Sequence, residues 1–257
     1  MATAPQPTGL PVLYHDLVPL SSTEHATWGT KTLDGAHFLK GHHAIPVTID
    51  EFVQVQRHFP IIFAAAENPV PLALMGLNEG VNVFLDEGGR FSERVYVPAY
   101  VRRYPFMLAQ LGQNPSELSL CFDPSSGAVT PDGDVVKLFE NGQPSEGTKG
   151  ILEFCEQFEQ SAQRTGAFVR ELVEMDLLMD GEVSIQADGA EQPHIYRGFK
   201  MVNEEKLRDL RGDQLRKMMQ SGLLTLITAH LFSLDLMREI YGRQAAQDKL
   251  PPASVTA

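Results

Sequence analysis

Two adjacent guanidinium groups among three phenols make Tyr96-Val97-Pro98-Ala99-Tyr100-Val101-Arg102-Arg103-Tyr104-Pro105-Phe106 the most unusual run in an otherwise acidic chain. Arginine offers a planar fork of donors that fits carboxylate and phosphate, and a phenol beside it can donate or accept a hydrogen bond. On a helical turn Tyr100 and Arg103 share a face while Arg102 points elsewhere, so at most one arginine and one or two phenols converge on an anion. The candidate binding residues are therefore Tyr96, Tyr100, Arg102, Arg103 and Tyr104. Two readings of them stay open. Either the arginines pair with Asp86, Glu87 or Glu93 while the rings fill the core, or the group forms an anion site or an anchor for a protein partner.

Other reactive side chains lack the company that chemistry needs. His15, His25, His37, His42, His43 and His58 crowd the first quarter of the chain, but no H-E-x-x-H and no Cys/His quartet occurs, so no metal site is expected. His230 falls on an apolar helix face and reads as a satisfied core histidine. Cys121 and Cys155 are far apart, with no base-bearing motif around either, and read as buried thiols in a reducing compartment. Neither G-x-x-x-x-G-K-[ST], G-x-G-x-x-G nor G-x-S-x-G is present, so no catalytic residue and no cofactor are assigned.

The elements that must position these groups follow from periodicity. Thr48 caps a short helix with acidic residues in its first turn, ended by Pro60. From Pro60 to Asp123 short apolar runs (61–65, 70–77, 81–85, 106–111 and 118–122) alternate with Asn-Pro, Glu-Gly-Gly and Gly-Gln-Asn-Pro turn signals, a strand meander interrupted by one helical turn after Pro98. Residues 124–146 read as a loop around a short strand, 135–139. Apolar residues at three- and four-residue steps from Ile151 to Met179 predict a helix of about 25 residues, weakened at Gly166. Two strands, 183–187 and 195–202, flank a polar loop at 188–193; Asn203 then caps a helix, and a second stripe runs from Leu215 to Met237. Adjoining strands without intervening long helices predict an α+β fold, a mainly antiparallel sheet covered by two long C-terminal amphipathic helices. Residues 1–10 and 246–257 have tail composition, leaving one domain over 11–245.

The 257 residues carry a formal charge of −12, which removes the drive to bind nucleic acid across the surface. The most apolar window, 222–237, holds His230 and Asp235 and falls short of the roughly 20 apolar residues of a spanning helix. With no basic n-region followed by an apolar h-region, the expectation is a cytoplasmic protein that is not integral to a membrane.

His58-Phe-Pro-Ile-Ile-Phe63, Asn68-Pro-Val-Pro-Leu-Ala-Leu-Met-Gly-Leu77, Asn82-Val-Phe-Leu-Asp86 and above all the Tyr96–Phe106 run resemble the bacterial SapC family. Leu120-Cys-Phe-Asp123, Leu138-Phe139, Gly198-Phe-Lys-Met-Val202 and the stretch from Gly222 to Leu234 resemble its C-terminal part, so the likeness spans roughly 10–242. The resemblance implies a soluble accessory protein associated by name with surface layers, and by gene neighbourhood with outer-membrane receptors and flavin-dependent-halogenase-like proteins. A peptide-transport permease shares the name, but no segment here is long and apolar enough to match it. The leading expectation is a non-catalytic or accessory binding protein that binds a protein partner or a small ligand without turning it over. The alternative is an enzyme or small-molecule-binding domain for an anionic ligand, with Arg102 or Arg103 as clamp and Tyr100 or Tyr104 as proton donor.

Overall fold

A computed structural model describes residues 9–111, 118–186 and 193–250. The Gly-Gln-Asn-Pro turn, most of the 188–193 loop and most of both expected tails lie outside them. In chain order the described elements are β1 (Val18–Pro19), β2 (Gly29–Thr30), β3 (Ala44–Pro46), α1 (Phe52–Val55), β4 (Ile61–Ala64), β5 (Pro71–Leu74), α2 (Ala99–Arg103), β6 (Phe106–Gln110), β7 (Leu118–Phe122), β8 (Val129–Thr130), β9 (Val136–Lys137), β10 (Phe139–Glu140), β11 (Gln143–Pro144), α3 (Glu146–Glu174), β12 (Leu178–Ile185), β13 (His194–Val202), α4 (Glu204–Arg208), α5 (Gly212–Ser221), α6 (Leu223–Ser233) and α7 (Leu236–Ala246). The class is α+β, and every described strand pair is antiparallel.

The chain divides into two compact units, each assembled from two segments. One comprises Met1–Asp34 and Arg103–Gln157; the other comprises Gly35–Arg102 and Phe158–Ala257. In the first unit β1-β7-β6 and β8-β2-β9 form three-stranded sheets and β10-β11 a hairpin. Its core gathers Phe106, Leu108, Phe122, Val129, Leu138 and Phe139 around the Cys155 thiol, with Trp28 and Leu120 at the edge. Ser145 starts α3 by accepting the Thr148 N–H at 3.1 Å, the bond that a helix N-terminus otherwise lacks.

In the second unit β12-β13-β4-β5-β3 form one five-stranded sheet. The Phe168 ring on α3 stands edge-on to Phe52 at 5.8 Å and lies 6.3 Å from Phe63 of β4. Each such ring, once buried, contributes about 1.5–3 kcal/mol. On α6, His230 and Ser233 take both backbone groups of Ile61: the Ser233 hydroxyl accepts its N–H at 2.8 Å, and His230 Nδ1 donates to its carbonyl at 2.7 Å. His230 Nε2 accepts the Val202 N–H at 3.1 Å, so one neutral ring fastens β4 and β13 to α6. Burial pushes the pKa of this ring down to about 4.

Three local expectations need amendment. The run 81–85, buried from Asn82 onward, joins no sheet: Leu85 makes one isolated antiparallel bridge to Phe91, while Val83 N–H donates to Met75 O and Phe84 N–H to the Asn82 side chain. Met179 belongs to β12; α3 stops at Glu174, and Asp176 turns the chain with φ +52°. The stripe from Leu215 to Met237 bends: Gly222 at φ +82° closes α5, and α6 ends at Ser233 before α7 begins.

Candidate functional site

Glu51 is the residue on which the expected site rests. It is 4% exposed, and its carboxylate closes the turn that Thr48 begins, Oε1 accepting the Thr48 N–H at 2.9 Å and its hydroxyl at 3.3 Å. Oε2 accepts the Ala99 N–H at 2.7 Å and the Tyr96 hydroxyl at 3.1 Å. A buried carboxylate therefore holds the start of α2, the short helix that Pro98 opens.

Tyr96 carries the network outward. Burial, reinforced by the Glu51 charge, raises its pKa and keeps the phenol protonated as the donor to that carboxylate. The phenol oxygen in turn accepts from Arg102 Nη2 at 3.1 Å, while Arg102 Nε donates to Val97 O at 3.1 Å and the guanidinium lies 5.7 Å from the Tyr96 ring centroid. Arg102 is exposed, so a buried anion, a phenol and a surface cation form one connected chain.

Tyr100 turns inward and is 5% exposed, its ring edge-on to Phe158 at 6.0 Å. It lines a cavity of about 230 Å³ with Val47, Val70, Phe158, Gly166 and Val169. The threonine hydroxyls on that wall are engaged within the protein: Thr165 donates to Ser161 O and accepts the Ile49 N–H, and Thr48 bonds Glu51. Apart from the Tyr100 phenol, the lining that remains is apolar. Gly166 sits within the 29-residue α3, and a Cβ there would meet only the end of the Arg170 side chain, at 3.4 Å.

Arg103 and Tyr104 belong to the other unit. Arg103 is buried, its guanidinium 5.8 Å from the centroid of the Tyr14 ring. Tyr104 stands edge-on to the same ring at 5.3 Å, and its pKa is pushed up to about 12 by burial and by the Asp123 charge. Burial alone would raise the Asp123 carboxyl, but hydrogen bonds from the Ser125 hydroxyl and from backbone N–H groups outweigh it and hold the pKa below the ordinary value. Of the five expected residues, then, Tyr96 and Arg102 touch, Tyr100 lines the cavity, and Arg103 and Tyr104 pack in a separate unit.

The SapC family model matches residues 20–240. The chain belongs to the SapC family. No curated protein matches it, and no solved structure does. The stretches that carry the SapC likeness build the frame of the site, since His58–Phe63 leads into β4, Asn68–Leu77 contains β5, and Tyr96–Phe106 contains α2.

A second SapC cavity, of about 630 Å³, is walled by Lys40, Asn82, Asp86, Glu87, Gln247 and Lys249. Its lysines donate to the carbonyls of Glu87 and Asn82, and both signs of charge line it, so it selects no single ligand charge. Among the described residues no three His, Cys, Asp or Glu side chains gather as a metal-binding group, and no helix is long and apolar enough to cross a membrane.

Proposed function

We propose that this SapC-family protein is a non-catalytic binding protein that holds an apolar group, aliphatic or aromatic, in the Tyr100 cavity. One observation carries the reading: a mostly apolar cavity is floored by a glycine in the middle of a long helix, and the threonine hydroxyls on its wall are already hydrogen-bonded within the protein. Mid-helix glycine costs about 1 kcal/mol relative to alanine, so a bare helix floor is a stability sacrifice that keeps space open. The placement of the arginines favours this reading over a clamp for an anionic substrate, because Arg102 is exposed on its own phenol and neither Arg102 nor Arg103 lines the cavity. An accessory role beside surface-layer, halogenase or outer-membrane-receptor systems, and residence in the cytoplasm, belong to the same proposal. The buried free thiols of Cys121 and Cys155 support a reducing compartment.

Ligand-observed NMR with indole, phenol and hexanoate tests the cavity. Binding is expected in the native protein and lost in Gly166→Leu, whose side chain fills the space, while Gly166→Ala should raise stability by about 1 kcal/mol. Equal binding by native protein and Gly166→Leu sinks the cavity reading. Turnover of a bound compound that disappears in Tyr100→Phe sinks the non-catalytic one.

A further inference from the structure

α6 departs from the pattern of a helix lying on a sheet. Such a helix turns an apolar stripe inward and charged side chains outward, yet from Met218 to Leu234 there is no Asp, Glu, Lys or Arg, in a chain of which 21% is charged. The inward side is accounted for by Leu223, Ile227, Ala229, His230 and Ser233, all buried. At about 100° per residue the opposite arc consists of exposed Thr225 and Phe232 with half-buried Leu224, Thr228 and Leu231, each within about 60° of Thr228. Phe232 is 73% exposed, and Met219 at the end of α5 is 63% exposed. The Thr228 hydroxyl is turned back onto its own helix, donating to Leu224 O at 2.8 Å. An uncharged outward face that ends in an exposed ring is the mark of a contact surface.

We propose that a second copy of this chain covers this face, the two α6 helices crossing antiparallel on a two-fold axis at Thr228. Under that operation the face is its own complement: Leu224 of one copy meets Phe232 of the other, Thr225 meets Leu231, and Thr228 meets itself. The charged side chains that bound the face have opposite signs at its two ends, exposed Lys217 before it and exposed Asp235 after it. Antiparallel crossing brings the basic end of one copy toward the acidic end of the other and sets the two helix dipoles head to tail. A charge of −12 repels the whole molecule from an anionic bilayer, which disfavours a lipid surface as the occupant.

Sedimentation velocity of the full chain over a concentration series tests this. The expected species at high concentration has twice the 28.4 kDa chain mass. Phe232→Glu, which leaves the buried side of α6 untouched, is expected to weaken association at least about tenfold, with an unchanged thermal midpoint at dilutions where both proteins are monomeric. Thr228→Arg and Thr228→Asp each set like charges on the axis and are expected to be monomeric alone, whereas their equimolar mixture re-forms the dimer, a rescue that a merely sticky patch does not give. A monomer at every concentration overturns the proposal, as does a dimer indifferent to Phe232→Glu, a mixture that stays monomeric, or a monomer that instead floats with phosphatidylcholine/phosphatidylglycerol vesicles through Phe232.

Discussion

Tyr96 donates its phenolic hydrogen to Glu51 Oε2 across 3.1 Å, joining residues 45 positions apart in the chain. The same carboxylate receives two backbone N–H groups, from Thr48 and Ala99, and the Thr48 hydroxyl, so its loss strands four donors in a nearly dry place. Glu51→Ala is therefore expected to cost about 3 kcal/mol, Tyr96→Phe about 1 kcal/mol, and the pair less than their sum. Urea unfolding at pH 7 measures all three, and a Glu51→Ala loss below about 1 kcal/mol would mean that water reaches these donors.

His230 makes stability depend on pH in a defined window. Its pKa falls from 6.5 to about 4 on folding, so between those values the unfolded chain binds the proton that the folded chain refuses. The contribution is complete above pH 6.5 and is lost as pH falls toward about 4, an effect on the order of 3 kcal/mol. Urea midpoints taken from pH 7.5 down to 4 should decline, and His230→Gln should lower the midpoint at pH 7 while flattening the decline. An equal slope in both proteins would remove His230 as its source.

Gly181 pairs with Phe199 across β12 and β13 beside a register shift, and a Cβ built on it falls 2.1 Å from Phe199 Cε2. The ring lies over the bare backbone. Gly181→Ala is expected to cost about 1–3 kcal/mol, and less when Phe199 is shortened to leucine. Thermal unfolding of the single and double variants reads this directly; simple additivity would refute the clash.

Cys121 and Cys155 are 0% and 1% exposed, and burial raises the Cys121 pKa further from neutrality. An aromatic disulfide, dithiobis(nitrobenzoate), should find almost no fast-reacting thiol in native protein and two in denaturant. One thiol labelled at the rate of free cysteine would show a local opening of the first unit.

Much of this fold is legible where local chemistry and tertiary structure agree. The Thr48 and Asn203 caps, α2 between its prolines, and the α3 stripe all sit where their side chains demand. Gly166 does not break α3, since a helix held along one whole face tolerates a single missing side chain. The amendments share one cause, that apolar spacing reports burial and not backbone pairing. Run 81–85 is buried by Asn82, whose amide donates to Leu39 O and His42 O, a connection invisible in periodicity. Gly222 did carry a signal, glycine after a helical run, that marks the bend in the last stripe. Glu51 was visible only as a first-turn acid; its grip on Tyr96 and Ala99 depends on contacts more than 40 residues away.

The interleaving of the two units has a consequence for synthesis. β1 pairs Val18 with Phe122, so the first strand made has no sheet to join until about a hundred further residues exist. At ordinary translation speeds of about 5–20 residues per second, that interval is on the order of 5–20 s. No cut in the gene releases either unit as one continuous piece. Each ribosome making this chain therefore displays an edge without a neighbour for many seconds, and the nascent chain is most open to chaperones, or to other nascent copies, before its sheets have closed.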